Sequence, residues 1–515
     1  MTRALGLLVL ALSLPVYSAS PAVDAAFTRL WNANSPEDAS VAVDGVVKSG
    51  VSFDEAFTRL RSGRVHAANV PRGVVRLTHR VGASDFAYIL DVPERYDPAK
   101  KYQVRIQLHG GVSRPDPAQR GNGIGALAGA EQIYVLPTGW SDAQWWTTAQ
   151  LDNLRWILDR VKRTYNVDEN RVVLSGVSDG GTGTYYVAMR DTTPFAAFLP
   201  LNGAVAVLRS ASVTIDGEIF INNYLNKPFF IVNGWLDPLY PPQLVEPYVR
   251  RLIEGGVEAT YLPQREAGHN TAWWPEVKET YEAFVRDHPR NPMPATLTWE
   301  SDLIGGTGRA HWLVIDALAG PRVEGPPLPD INDVVGPEAP SFGMTTVGTR
   351  VTGVTAGGNA AGFGLLPGDV ILKINDRTIQ TGAEALDLLV LTEPKTKMTL
   401  TVSRGGTSME LDGTFDPVAT PRLTPLFRRR QPSGRVDLAR EGNTITATTR
   451  RVAEFTLLLS PEVFDFSKPV VVVTDGRRVF DSRVTPSVAT LLKWAARDND
   501  RTQLYGAEVK VKLAP

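Results

Sequence analysis

The chain has 515 residues, 43% of them hydrophobic and 21% charged, with a formal net charge of -1. That balance describes a globular protein and supplies no basic field for nucleic acid or an anionic membrane surface, so neither is expected as a partner. There is no cysteine, which excludes disulfides, thiolate catalysis, zinc–thiolate sites and lipid attachment to an N-terminal cysteine.

Residues 1–20 read as an export leader. Arg3 precedes an apolar run, residues 4–16, that is too short to span a bilayer, and the small residues Ser18-Ala19-Ser20 follow. This is the pattern of a secretory signal peptide, cleaved between about Ser18 and Ala22. No later apolar run approaches the ~20 residues of a membrane span, so the mature protein is expected in a periplasm or outside the cell. Residues 21–70 read as a helical segment, in which Ala26-Phe27-Thr28-Arg29-Leu30 is echoed by Ala56-Phe57-Thr58-Arg59-Leu60. The segment is expected to pack as a helical cap, with a cleaved pro-segment as the alternative.

Strands are expected at 74–81, 86–92, 102–108, 133–137, 171–174, 229–232 and 260–263. Helices are expected at 152–165, 181–190, 243–254 and 271–287. This alternation implies an α/β fold over residues 71–290, a mostly parallel sheet with helices on both faces. After about Pro289 the pattern turns β-rich, and the Gly/Pro-rich stretches 320–340 and 417–434 read as linkers.

One constellation carries chemistry. Gly176-Val177-Ser178-Asp179-Gly180 lies between an apolar strand and a helix, the context of a nucleophile elbow. A serine hydroxyl needs a base to take its proton and a third group to orient that base. Of six histidines, His66 and His79 precede the core or lie in its entry strands, His109 follows the strand 102–108, His288 ends a charged helix and is expected to be solvated, and His311 is in the β-rich part. His269 follows the strand 260–263, which makes it the base. Among Asp179, Asp191, Asp216 and Asp237, the last follows the strand 229–232 and gives the order Ser178, Asp237, His269. The oxyanion hole is expected from the backbone N–H of Asp179 and that of Gly111 or Val112, with His109 orienting the loop. Trp145 and Trp146 read equally as cleft lining or as packing. No His/Asp/Glu cluster has metal-ligand spacing, and neither a metal nor another cofactor is expected.

Leu108-His109-Gly110-Gly111, Tyr165-Asn166-Val167-Asp168-Glu169-Asn170-Arg171-Val172, Gly176-Val177-Ser178-Asp179-Gly180-Gly181 and Ala267-Gly268-His269 resemble the secreted esterase branch of the α/β-hydrolases, which includes feruloyl esterases and polyhydroxyalkanoate depolymerases. The resemblance covers roughly residues 76–288 and implies a serine hydrolase acting on a carboxylic ester. The same architecture serves prolyl-oligopeptidase-like serine peptidases, so a peptide substrate is the alternative, and a non-catalytic binding scaffold is a further one. Many members carry Ala after the serine, where this chain has Asp179.

Residues 336–416 resemble a PDZ domain. Leu365-Leu366-Pro367-Gly368-Asp369-Val370-Ile371-Leu372-Lys373-Ile374-Asn375 is similar to the Leu-x-Pro-Gly-Asp stretch of bacterial PDZ modules. The resemblance places Ser341-Phe342-Gly343-Met344 at the loop that binds a peptide carboxylate, and the helix 383–391 as the opposite wall. A peptide or protein C-terminus is the implied partner, with a domain that packs only on its own hydrolase as the alternative. The flanking β-rich pieces, 291–335 and 420–515, are expected to join as one discontinuous β-sandwich-like domain around the insertion, with Trp312 packed against residues 436–513.

Overall fold

A computed structural model describes residues 20–81, 84–115, 122–210, 213–320, 328–337, 342–390, 392, 395–416 and 421–513. Except for Ser20, the expected leader lies outside the described residues. Two compact units are present: residues up to Ile331 together with Phe427 onward, and Asn332–Leu426.

Helices α1 (Pro21–Trp31), α2 (Pro36–Lys48) and α3 (Phe53–Ser62) open the first unit. Ser35 and Ser52 accept the backbone N–H groups of Asp38 and Glu55, capping α2 and α3. The echoed pentapeptides bury equivalent residues, Ala26 with Leu30 and Ala56 with Leu60. Their apolar faces close on Leu491, Leu492 and Ala496 of the helix Val488–Asp498 and on Leu504. The segment thus shares a core with the far end of the chain.

The central sheet has eight strands. They are β1 (Gly73–Val81), β2 (Ser84–Val92), β3 (Tyr102–Leu108), β4 (Ile133–Pro137), β5 (Val167–Val177), β6 (Ala197–Leu201), β7 (Phe229–Gly234) and β8 (Ala259–Gln264), in the order β1-β2-β4-β3-β5-β6-β7-β8. β2 is antiparallel to β1 and to β4, and the remaining neighbours are parallel. Helices α4 (Thr148–Thr164), α5 (Asp179–Arg190), α6 (Pro242–Glu254) and α7 (Trp274–Asp287) connect or follow the parallel strands. Successive strand side chains point to opposite faces. Phe229 therefore stacks on Tyr185 of α5, while its neighbour Phe230 meets Tyr281 and Phe284 of α7. The sheet is thus covered on both faces. The sequence reading missed β6: Pro200 sits in it, and a proline argues against a central strand.

Beyond α7, β9 (Thr296–Ser301), β10 (Arg309–Ala310) and β11 (Leu313–Leu318) pair with strands that lie far along the chain. β9 joins Gly434–Glu441 and β11 joins Val452–Leu459, both antiparallel. A five-stranded and a four-stranded sheet share one apolar core, in which Trp299, Trp312, Val436, Phe455 and Leu457 are buried. The Trp312 ring lies 6.0 Å from that of Phe464.

The two ends of the excursion between β11 and Gly434–Glu441 are held close together. Asn222 Nδ2 donates to Asp330 Oδ1 at 2.6 Å, and Arg429 lies 3.5 Å from Asp330 and 2.9 Å from Glu300. The stretches read as linkers are not wholly irregular, since Asp333–Pro337 and Pro421–Pro425 form an antiparallel two-stranded ribbon. The second unit contains a sheet of Met344–Val347, Arg350–Val354, Val370–Ile374, Thr396–Arg404 and Thr407–Phe415 in that order. Its helix is Gly382–Val390, and Phe342, Phe363, Leu365, Ile371 and Leu400 fill its core. Asp369 of the Pro-Gly-Asp turn accepts the Leu366 N–H at 2.9 Å and two bonds from Arg404 at 2.8 Å. The Arg404 guanidinium holds this carboxyl below the usual range.

A buried ionic knot fastens the β-sandwich to the central sheet. Asp500 accepts from Arg290 at 2.9 Å and from Lys162 of α4 at 3.3 Å, and all three side chains are buried. Burial alone would raise the Asp500 carboxyl, but the two cations outweigh it and hold the group well below the usual range. Next to it, Arg501 pairs with Glu169 of β5 at 2.5 Å. Asp500→Ala would leave two buried cations unpaired, so it is expected to destabilise the protein by about 3–5 kcal/mol, read as a lower denaturant midpoint by tryptophan fluorescence.

Candidate active site

The site begins with a backbone constraint. Ser178, between β5 and α5, has φ 59° and ψ -121°, a conformation that L-residues adopt only when their surroundings impose it. Its N–H donates to Leu201 O of β6 at 2.9 Å. The turn is so tight that a Cβ on Gly176 would lie 2.1 Å from Gly180 O. The result pushes the Ser178 hydroxyl out above the carboxyl ends of the parallel strands, where loops from several strands converge.

Three of those loops meet the serine. The Ser178 hydroxyl donates to His269 Nε2 at 2.8 Å, and His269 Nδ1–H donates to Asp237 Oδ2 at 2.6 Å. Asp237 is buried, and its other oxygen accepts the N–H groups of Leu239 and Tyr240 at 2.8 and 3.0 Å. Those bonds keep Oδ2 turned toward the imidazole. Ser178, Asp237 and His269, chosen from the sequence, are thus brought together.

The other candidates are engaged elsewhere. Asp191 pairs with Arg155 at 2.6 Å, and Asp216 accepts the Thr148 N–H at the start of α4. His66 lies 3.3 Å from Lys162 O and His79 stacks on Trp156. His288, expected to be solvated, is half-buried, with its ring stacked on Phe284 at 4.1 Å. His311 is buried beside Pro292 O, and burial, then Lys227 and Arg290, push its imidazole well below the usual range.

The loop after β3 lies against Ser178: a Cβ on Gly110 would come 2.8 Å from Ser178 Cβ. His109 pins it, since Nε2 accepts the Gly139 N–H at 3.0 Å and Nδ1–H donates to Gly110 O at 2.8 Å. Trp145 Nε1–H donates to His109 O at 2.8 Å. Trp145 and Trp146 are both buried, so they brace and pack rather than line an open cleft. One expectation needs correction. The Val112 N–H is not available to an oxyanion, because it donates to the Asp179 side chain (Oδ2) at 2.9 Å. Among the described residues, the N–H groups of Gly111 and Asp179 have no partner.

Sequence reasoning missed two residues. Asn202, after β6, donates through Nδ2 to Asn270 O at 2.8 Å and accepts the Gly234 N–H at 3.1 Å, which holds the histidine loop against β7. An Asn-Gly pair after an apolar run was the available signal. Tyr240 sets its ring against that of His269 at 5.3 Å. Burial first, then the Asp179 carboxylate, push its phenol to about 12, so it stays a hydrogen-bond donor at neutral pH.

In the second unit, Ser341 lies outside the described residues. The Phe342 side chain is buried against Phe363 and Phe415, so it builds the core, and only its backbone could meet a ligand. Gly343 has φ 77°, and Met344 opens Met344–Val347, the end strand of its sheet.

The sequence profile of the PDZ domain family matches residues 338–413. Over 205 residues the chain is 26% identical to the bifunctional acetylxylan esterase/xylanase XynS20E of Neocallimastix patriciarum, covering 37% of this chain and 29% of that protein. Over 128 residues it is 30% identical to the probable feruloyl esterase C of Aspergillus terreus, covering 23% and 46%. The chain thus spans less than half the length of these two curated relatives. A solved thermostable esterase aligns at 21% identity and a TM-score of 0.34, over 42% of this chain and 63% of that one. A likeness at that score carries no argument about activity. Over part of its length the chain is therefore similar to curated esterases, and it carries a PDZ domain.

Gly176→Ala would force its Cβ into the Gly180 carbonyl. It is expected to destabilise the fold by roughly 3 kcal/mol or more and to expose the elbow to proteolysis between β5 and α5, measured by limited digestion.

Proposed function

We propose that the chain is an exported serine hydrolase that cleaves carboxylic esters through Ser178, His269 and Asp237, with a PDZ domain that recruits a peptide or protein C-terminus. The observation that carries the reading is the continuous hydrogen-bond chain from Asp237 through His269 to Ser178, at 2.6 and 2.8 Å. Similarity to curated esterases favours an ester over a peptide bond.

The steps follow from that chain. Ser178 Oγ attacks the ester carbonyl carbon while His269 Nε2 takes its proton. Asp237 holds the imidazole in the tautomer that presents Nε2 as acceptor and stabilises the imidazolium that forms. The developing oxyanion is met by the N–H groups of Asp179 and Gly111. Collapse breaks the ester C–O bond, and the leaving alcohol receives the proton from His269. Water, deprotonated by His269, then attacks the acyl-serine; the bond to Ser178 Oγ breaks, His269 returns the proton to that oxygen, and the acid is released. The leader pattern of residues 1–20 supports action in a periplasm or outside the cell. At the PDZ domain, a peptide would add beside the end strand Met344–Val347 and set its carboxylate at the loop around Gly343.

Ser178→Ala is expected to lower kcat on a p-nitrophenyl acyl ester by at least ~10³-fold and to abolish labelling by a fluorophosphonate, with the fold unchanged by circular dichroism. Asp237→Asn should cost about 10⁴-fold in kcat, because the imidazole loses its correct tautomer. Unchanged labelling and turnover in both variants would refute the assignment.

A further inference from the structure

The chemistry above uses the Asp179 backbone and leaves its side chain without a task. A carboxylate beside the place where an oxyanion develops is an electrostatic liability if it is free. Here it is not free. Oδ2 accepts the Val112 N–H at 2.9 Å, and the Tyr240 hydroxyl donates to Oδ1 across a longer 3.4 Å. Tyr240 in turn donates its own N–H to Asp237 at 3.0 Å. The side chain therefore joins the loop after β3 to the loop after β7.

The consequence concerns Gly111. The loop after β3 has one anchored end at His109, held by Gly139 and Trp145. Its other end, at Val112, is held by a buried side chain and by the bond to Asp179. Gly111 lies between the two anchors at φ 74°, a region where a glycine has no steric preference of its own. The direction of its N–H is then set by the peptides on either side. An N–H to carboxylate bond is among the stronger neutral-to-charged bonds, and Asp179 supplies it at the peptide immediately after Gly111.

We infer that Asp179 is a positioning residue for the oxyanion hole: its carboxylate fixes the Val112 peptide so that the Gly111 N–H points to the same spot as the N–H of Asp179 itself. One residue thus sets both donors, one by its own backbone and one through its side chain. The inference rests on the ester-hydrolase reading of Ser178.

The test compares Asp179→Ala and Asp179→Asn in the full chain, with p-nitrophenyl acetate turnover, a boronic acid that forms a tetrahedral adduct on serine, and amide exchange of the peptide spanning residues 108–113. Asp179→Ala is expected to lower kcat about 10- to 100-fold with KM changed by less than ~2-fold, since the lost alignment matters only once the oxyanion forms. Boronate affinity should fall in step with kcat, and exchange at Val112 should accelerate. Asp179→Asn, whose amide oxygen can still accept the Val112 N–H, should stay within about threefold of the parent chain. A kcat for Asp179→Ala within about twofold of the parent, or an equal loss in Asp179→Asn, would overturn the inference. Should the alanine variant not accumulate folded, exchange at Val112 in Asp179→Ser decides: protection equal to the parent sinks it. If the parent chain hydrolyses no ester and Ser178→Ala changes nothing, the reading of Ser178 fails instead, and the exchange result still reports on the Asp179 bond.

Discussion

The structure turns on one strained residue. Ser178 sits at φ 59° between β5 and α5, and a conformation of that kind costs on the order of 1–3 kcal/mol unless its surroundings enforce it. They do so from two directions. β6 takes the Ser178 N–H through Leu201 O, and the bare backbone of Gly176 lets α5 start closer than any side chain would permit. The parallel sheet is what supplies both neighbours. Because its strands run the same way, the loops after β3, β7 and β8 all leave from the edge where Ser178 sits, and each brings one group to it.

Polar contacts between those loops do more than surround Ser178, His269 and Asp237. Asp237 spends one oxygen on Leu239 and Tyr240 and the other on His269. Asn202 holds the histidine loop, His109 and Trp145 hold the loop after β3, and Asp179 spans between loops. Such a network is most useful when every member is satisfied, since buried polar groups without partners are costly. The site therefore reads as preorganised rather than assembled on demand.

The rest of the first unit is built by segments that are remote in sequence. The N-terminal helices share a core with Leu491 and Leu492, β9 and β11 complete sheets begun after residue 433, and Asp500 is clasped by Arg290 and Lys162. With the ends of the excursion fixed at Asp330 and Arg429, a whole domain can be inserted between them without separating the two halves of the sandwich.

Much of the site was legible in the chain alone. Ser178, Asp237 and His269 follow from a local pattern, a glycine-flanked serine between strand and helix, and from counting polar residues at strand ends. Most strands of the central sheet follow from apolar runs, because each is a local signal. β6 was hidden by Pro200, whose tolerance depends on its neighbours in the sheet. What the sequence could not supply is which partner each polar group finds across the fold. In the sequence Asp179 stood out only as an acidic residue after the serine, and Gly111 and Val112 were equal candidates for the second donor. Only the tertiary structure, by bringing residues 67 positions apart to 2.9 Å, made Asp179 and Val112 partners and left the Gly111 N–H without one. Residue type and periodicity determine which groups can do chemistry; long-range packing, which no local pattern encodes, decided which of them remain available for it.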